Sequence, residues 1–279
     1  MFTVLSCSKE QSAASAPAET TSAAEVQGVD VAEAAASFFA EYPEGGYIIK
    51  EDVFLQKFVS GEDMFVIDIR RADDYAAGHI KGAVSMPWGG SAPADGMASV
   101  PTDVPVYLYC YSGQTAGQAV AIMNIAGIPV KSVRYGFKYG IATIDGYEEA
   151  VDTVPVALPA PMREIDPNIQ AAADAYYAEM AETKGTPFAS NIISSENAKK
   201  ILDAGDDSVQ FVDIRRTEDY EKGFIEGAIN VPYGANMQDL FTSMPADKKL
   251  IVNCYSGQTA GQAVAIMKLM GYDAVSLKG

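Results

Sequence analysis

Cys110-Tyr111-Ser112-Gly113-Gln114-Thr115-Ala116-Gly117-Gln118-Ala119-Val120-Ala121-Ile122-Met123 recurs residue for residue at positions 254–267. Each copy follows a short apolar run with strand character and opens an Ala-rich run with helical character. Such a strand–turn–helix puts a thiol where backbone N–H groups converge, and a thiolate is stabilised there. Cys7 is the one other cysteine among 279 residues. The chain reads as two copies of one cysteine-based site.

The duplication extends well beyond the two loops. Phe65–Arg71 matches Gln210–Arg216, Asp74-Tyr75 matches Asp219-Tyr220, and Gly78–Ala83 matches Gly223–Ala228. Met86–Gly89 matches Val231–Gly234, and Ala34–Phe39 resembles Ala172–Tyr177. A period this long means two tandem domains, not a solenoid of short repeats. Within each unit, short apolar strand candidates alternate with helical patterns. Met64–Ile69 and Val104–Tyr109 are the strands of the first unit, Val209–Ile214 and Leu250–Asn253 those of the second. Ala116, Ala119, Val120 and Met123 share one helical face. Alternating β and α with continuously apolar strands predicts an α/β fold with a parallel sheet covered by helices on both faces. Ligands of such sheets sit at the carboxyl ends of strands, where Cys110 and Cys254 fall.

A formal net charge of −17 argues against nucleic acid, which needs a basic face. It leaves a small anionic substrate open, because screening acts over roughly 8 Å at physiological salt. Three cysteines make no disulfide framework, and with a single histidine they give no zinc-site spacing. No metal or cofactor is expected. No apolar run approaches the length of a transmembrane helix.

The domain layout is read as a tether over 1–28, a first domain over 29–150, a linker over 151–166 and a second domain over 167–279. Val4-Leu5-Ser6-Cys7 resembles the end of a bacterial lipoprotein signal peptide, in which Cys7 would carry the lipid; the alternative is an unmodified disordered start. Ser8–Gly28 is rich in Ala, Ser, Thr and Glu and reads as a flexible tether reaching roughly 25 Å. The linker carries three prolines between Val154 and Pro161 and should be extended. Pro167–Thr183 reads as a helix with Pro in its first turn. The second unit is expected to lack its last element, with the natural protein continuing past Gly279.

The Asp-Ile-Arg strand, the Asp-Tyr-x-x-Gly-His-Ile-x-Gly-Ala run and the strand–Cys–loop–helix together resemble the rhodanese (sulfurtransferase) family. The resemblance spans about Ile49–Gly136 and Ile193–Gly279. It implies an α/β fold and a persulfide on Cys110 and Cys254, taking sulfane sulfur from a small donor and passing it to a thiol or other thiophilic acceptor. Tyr111, Ser112, Gly113, Gln114 and Thr115, with Tyr255, Ser256, Gly257, Gln258 and Thr259, form the expected substrate-binding loops. Gly113 and Gly257 let the loop curl, and the Ser and Thr hydroxyls can donate to a bound sulfur. Family members favouring thiosulfate often carry a basic loop residue, and these loops have none. Arg at Gln114 or Gln258 is therefore expected to improve thiosulfate use. Related phosphatases place Arg where Ala116 and Ala260 stand, so phosphoryl transfer would lack its oxyanion clamp.

His79 has Phe224 as its counterpart, so it cannot be a base common to both sites. In the family it belongs to a structural turn. Asp68 with Arg70, and Asp213 with Arg215, read as a buried ion pair or loop anchor. Trp88 and Tyr233 either line the pocket mouth or pack in the core. The leading functional expectation is a sulfurtransferase outside the cytoplasm, lipid-tethered or periplasmic in a bacterium, since reactive thiols suit two unpaired cysteines there. The alternative is a non-enzymatic rhodanese-fold binding or redox-sensor module. Exchange between Cys110 and Cys254 lacks a Cys-x-x-Cys arrangement.

Overall fold

A computed structural model describes Met1 and residues 28–279 of the chain; Cys7 and most of the tether fall outside the described residues. The first unit runs α1 (Val31–Ala40), β1 (Ile48–Ile49), α2 (Glu51–Val59), β2 (Phe65–Asp68), α3 (Ala72–Ala77), β3 (His79–Ile80), β4 (Val84–Ser85) and α4 (Ala92–Asp95). It continues through β5 (Val106–Tyr109), α5 (Gln114–Ile125), β6 (Val130–Val133), α6 (Gly136–Tyr139) and β7 (Val151–Asp152). The second unit runs α7 (Pro167–Glu182), β8 (Ile192–Ile193), α8 (Ser195–Ala204), β9 (Val209–Asp213) and α9 (Thr217–Tyr220). It closes with β10 (Ile229–Asn230), β11 (Lys249–Asn253), α10 (Gln258–Leu269) and β12 (Ala274–Leu277).

Each unit builds a five-stranded sheet. The orders β1-β6-β5-β2-β4 and β8-β12-β11-β9-β10 are equivalent. All their pairings are parallel. The central strands are apolar on both faces because helices cover both. On β5, Val106 and Leu108 face one core while Tyr107 and Tyr109 face another, as the period of two requires. The expected strands and the α7 helix form within a residue or two of their predicted ends. Asp166 caps α7 by accepting from the Asn168 and Ile169 amides, which is why that helix starts at Pro167.

One core belongs to both units. Helices α5 and α10 are buried almost throughout and pack on each other, and their apolar residues join a single cluster. Gly117 and Gly261 make this possible: a Cβ on either would collide with the carbonyl oxygen of Gln258 or Gln114 across the boundary. The leading helices bridge the same boundary. Phe39 of α1 stacks edge-on against Tyr233 and Phe241 of the second unit, at 5.6 and 5.9 Å between centroids. Tyr177 of α7 does the same to Trp88 of the first unit at 5.3 Å. The linker's opening is not free chain. β7 pairs with β3, the Val156 amide donates to the Tyr75 hydroxyl, and Val156 bridges Val84. Among the described residues no helix is long and apolar enough to cross a membrane.

Candidate active site

In both units the cysteine ends a central strand and the following helix points its amino end at the sulfur. The Gly113 and Ala116 amides face Cys110 Sγ at 3.1 and 3.4 Å. The Gly257 and Ala260 amides face Cys254 Sγ at 3.0 and 3.4 Å. Gly113 and Gly257 adopt φ of +93° and +79°, the left-handed turn that aims those amides inward. A negative sulfur here meets two N–H donors at the positive end of a helix. Cys110 is buried and Cys254 half-buried.

The loop tyrosines are anchors. The Tyr111 hydroxyl donates to Asp74 and accepts from the Arg71 amide at 3.0 Å, while the Arg71 guanidinium grips the same carboxylate at 3.0 Å. Tyr255, Asp219 and Arg216 repeat the arrangement. The Tyr111 hydroxyl and the Arg71 guanidinium hold the Asp74 carboxyl below its ordinary range. Lys222, then Tyr255, hold Asp219 well below it. The Arg71 and Arg216 side chains are themselves exposed, so each unit carries a guanidinium one hydrogen-bonded step from its loop. These residues stand in the duplicated Arg-x-x-Asp-Tyr runs. The repeat was visible, but its link to the loop is a tertiary contact spanning 37 residues in the first unit.

Asp68 and Arg70 form the anchor expected of them. The guanidinium binds both carboxylate oxygens and the Gly78 carbonyl, closing the turn before β3. Asp213, Arg215 and Gly223 repeat it. Burial alone would raise the Asp213 carboxyl, but the Arg215 hydrogen bonds overrule it and lower it. His79 is fully buried, stacked on Tyr75 at 3.7 Å and held between the Tyr75 and Val154 carbonyls, away from Cys110's donors. Trp88 and Tyr233 pack into the shared core, and Tyr233 donates to the Gln262 side chain.

Ser112, Thr115, Ser256 and Thr259 are half-buried at the loops, but Gln114 and Gln258 are not at the mouth. Both were expected to bind substrate; their side chains point instead to the domain boundary. Their amides cross the domain boundary: Gln114 Nε2 donates to Ser276 Oγ and the Leu277 carbonyl at 2.8 and 2.9 Å, and Gln258 Nε2 to Ser132 Oγ and the Val133 carbonyl at 2.7 and 3.2 Å. Arg at either position would bury an unpaired charge in the interface rather than meet a donor anion.

A wide cleft of about 580 Å³ opens beside Cys254, lined by Arg215, Phe224, Asn253 and Tyr255 among others. The matching face of the first unit holds Tyr109, whose hydroxyl accepts from the Ile80 amide, and Phe137, which lies 4.0 Å from the Arg70 guanidinium. Asn253 replaces that tyrosine in the second unit.

Comparison with known proteins finds the same duplication of the domain. The profile of the rhodanese-like domain matches residues 52–143 and again 194–279. The chain is 33% identical over 70 residues to the thiosulfate sulfurtransferase PspE of Escherichia coli, covering 25% of this chain and 67% of that protein. It is 30% identical over 83 residues to the putative sulfur carrier protein YrkF of Bacillus subtilis, covering 30% of this chain but only 44% of that protein. Among solved structures, the 3-mercaptopyruvate sulfurtransferase SseA of Escherichia coli aligns over 84% of this chain and 98% of its own, at 16% identity and a TM-score of 0.34. With both cysteine loops inside the matched segments, the chain belongs to the rhodanese-like domain family and carries two tandem copies of that domain.

Proposed function

We propose that the protein is a sulfurtransferase that carries sulfane sulfur as a persulfide on Cys110 and Cys254. One observation carries the reading: each sulfur faces two backbone amides at the start of a buried helix, in two loops of identical sequence. The thiolate attacks the outer sulfur of a donor R–S–SH. The donor S–S bond breaks, its electron pair leaves on R–S⁻, and the enzyme holds Cys–S–SH. An acceptor thiolate R′–S⁻ then attacks that outer sulfur, forming R′–S–SH and restoring the cysteine thiolate. The two steps conserve electrons and require no redox partner. The protein's part is to hold the thiolate, and then the negative sulfur of the persulfide, against fixed N–H dipoles. Ser112, Thr115, Ser256 and Thr259 supply hydroxyl donors around it.

The donor class follows from charge. The loops contain no cation, and the nearby Arg71, Arg215 and Arg216 guanidiniums are already paired with Asp74, Asp213 and Asp219, so neutral or organic persulfides and polysulfides should outcompete thiosulfate. Lipidation of Cys7 and an extracytoplasmic site of action belong to the same proposal, supported by the Val4–Cys7 run. Incubation with a polysulfide donor, followed by peptide mass spectrometry, should show one added sulfur on the Cys110 and Cys254 peptides. A donor-treated protein with no added sulfur on either peptide would sink the proposal.

A further inference from the structure

The glutamines that left the substrate loops have a consistent place in the molecule. Gln258 starts α10 of the second unit, yet its side chain bonds to Ser132, Val133 and Tyr135 of the first unit. Its Nε2 donates to Ser132 Oγ and the Val133 carbonyl, and its Oε1 accepts from the Tyr135 amide at 3.2 Å. That short segment leads directly to the underside of the Cys110 loop. A Cβ on Gly136 would stand 2.5 Å from the Cys110 carbonyl oxygen and 2.8 Å from the Ser112 nitrogen. The Phe137 and Lys138 amides donate to the Cys110 and Tyr111 carbonyls at 2.7 and 2.9 Å. Gln258 also touches the loop itself: its Oε1 lies 2.6 Å from where a Cβ of Gly113 would stand. Gly113 is the residue whose amide faces Cys110 Sγ at 3.1 Å.

The second unit shows the same crossing through Gln114. Gln114 starts α5, its amide is bonded to Ser276 and Leu277 of β12, and its side chain fills the space beside Gly257. Gly257 in turn aims its amide at Cys254 Sγ. Each turn glycine thus faces the other unit's glutamine. The donors of both loops are backbone amides whose direction depends on a left-handed glycine, and a glycine unsupported on that side is free to rotate. A buried amide side chain is costly unless its hydrogen bonds are made, so the glutamine and the segment it grips fix each other.

We propose that each thiol site is completed from across the domain boundary, with Gln258 a positioning residue for Cys110 and Gln114 a positioning residue for Cys254. This rests on the reading of both cysteines as persulfide carriers, but it makes a claim of its own: the effects of the two glutamines are crossed. Each acts most on the cysteine farther from it in sequence.

The test keeps both cysteines and compares Gln258→Met with Gln114→Met. Two readouts are resolved by peptide: the rate of persulfide formation from a polysulfide donor, and hydrogen exchange over 110–117 and 254–261. Gln258→Met should slow persulfide formation at Cys110 by about tenfold, the upper end for one neutral hydrogen bond, and raise exchange over 110–117. The change at Cys254 should be several-fold smaller. Gln114→Met should give the reverse. Gln258→Glu keeps the length and the acceptor for the Tyr135 amide but sets a buried carboxylate oxygen against the Val133 carbonyl, so it should slow Cys110 at least as much as Gln258→Met and again spare Cys254. If the Met variants do not fold, Ser132→Ala, which removes one acceptor of the Gln258 amide, carries the test and should slow Cys110 more than Cys254. Equal effects on both cysteines, or a larger effect of each glutamine on its own loop, overturn the proposal. Wild-type protein that forms no persulfide refutes the sulfurtransferase reading, and the crossed exchange pattern still decides whether the brace exists.

Discussion

At the scale of single residues, the loop is held by groups that do no chemistry. The Tyr111 hydroxyl ties the residue after Cys110 to Asp74 and to the Arg71 amide. Tyr111→Phe removes both bonds and leaves the ring, at a cost of about 0.5–1.5 kcal/mol. Sulfur transfer at Cys110 should fall several-fold with little change at Cys254, read by peptide-resolved persulfide formation. An unchanged Cys110 rate would mean the tyrosine is decoration. Gly136 permits a sharper test. Its φ of +63° and the loop atoms against its open side leave no room for a methyl group. Gly136→Ala should cost about 1–3 kcal/mol and displace the Cys110 loop, so loss of persulfide at Cys110 should exceed the loss of stability seen on heating. The glycine run around each cysteine was legible in the sequence, and so was the need for a curled loop. What was not legible is where the glutamines point, because a residue one step into a helix reaches outward or inward according to what packs on that helix.

At the scale of elements, Arg134 at the end of β6 is pinned to Glu51 at the start of α2 at 2.6 and 2.8 Å. The pair steadies the approach to the 135–138 segment under Cys110. The Arg134 guanidinium holds the Glu51 carboxyl below its ordinary value. A carboxyl whose folded pKa is lowered adds stability above its unfolded pKa, near about 4.3 for Glu. That stability is lost as pH falls through the lower folded value. Titration from neutral pH should therefore leave the pair intact until the acid side of the ordinary glutamate range. Glu51→Gln should remove part of the acid dependence of stability; an identical acid limb in the variant would show that the pair does not contribute. The strands were legible because parallel, doubly covered strands are unbroken apolar runs. The prolines pointed to extended chain, and Val151–Val156 runs back along the first unit, held by β3, Tyr75 and Val84, a docking the prolines did not reveal. Such contacts depend on a partner surface far earlier in the chain, 75 residues away for the Val154 carbonyl on His79 and 81 for the Val156 amide on Tyr75, which local pattern does not reveal.

At the scale of the whole molecule, two homologous units share one core, and the duplicated leading helices lie outside the two segments that match the family. The repeat sets those helices at the head of each unit along the chain. In space they staple one unit to the other: Phe39 sits against Tyr233 and Phe241, and Tyr177 against Trp88. The second unit also closes this seam from its own backbone, since the Asn236 amide donates to the Phe39 carbonyl at 2.9 Å. Burying α5 against α10 leaves neither unit a complete core of its own, because much of each helix's apolar surface is covered by the other. The two units should then unfold together. Calorimetry should give a single transition whose calorimetric and van't Hoff enthalpies agree, the signature of one cooperative block. Phe39→Ala removes a fully buried ring from the seam, at about 3–5 kcal/mol. It should lower the melting temperature of both units together, as followed by hydrogen exchange in β5 and β11. Two separated transitions in the wild type, or a Phe39→Ala variant that destabilises one unit and spares the other, would show that the units are independent, and the bracing of each thiol site by the opposite unit would lose its mechanical basis.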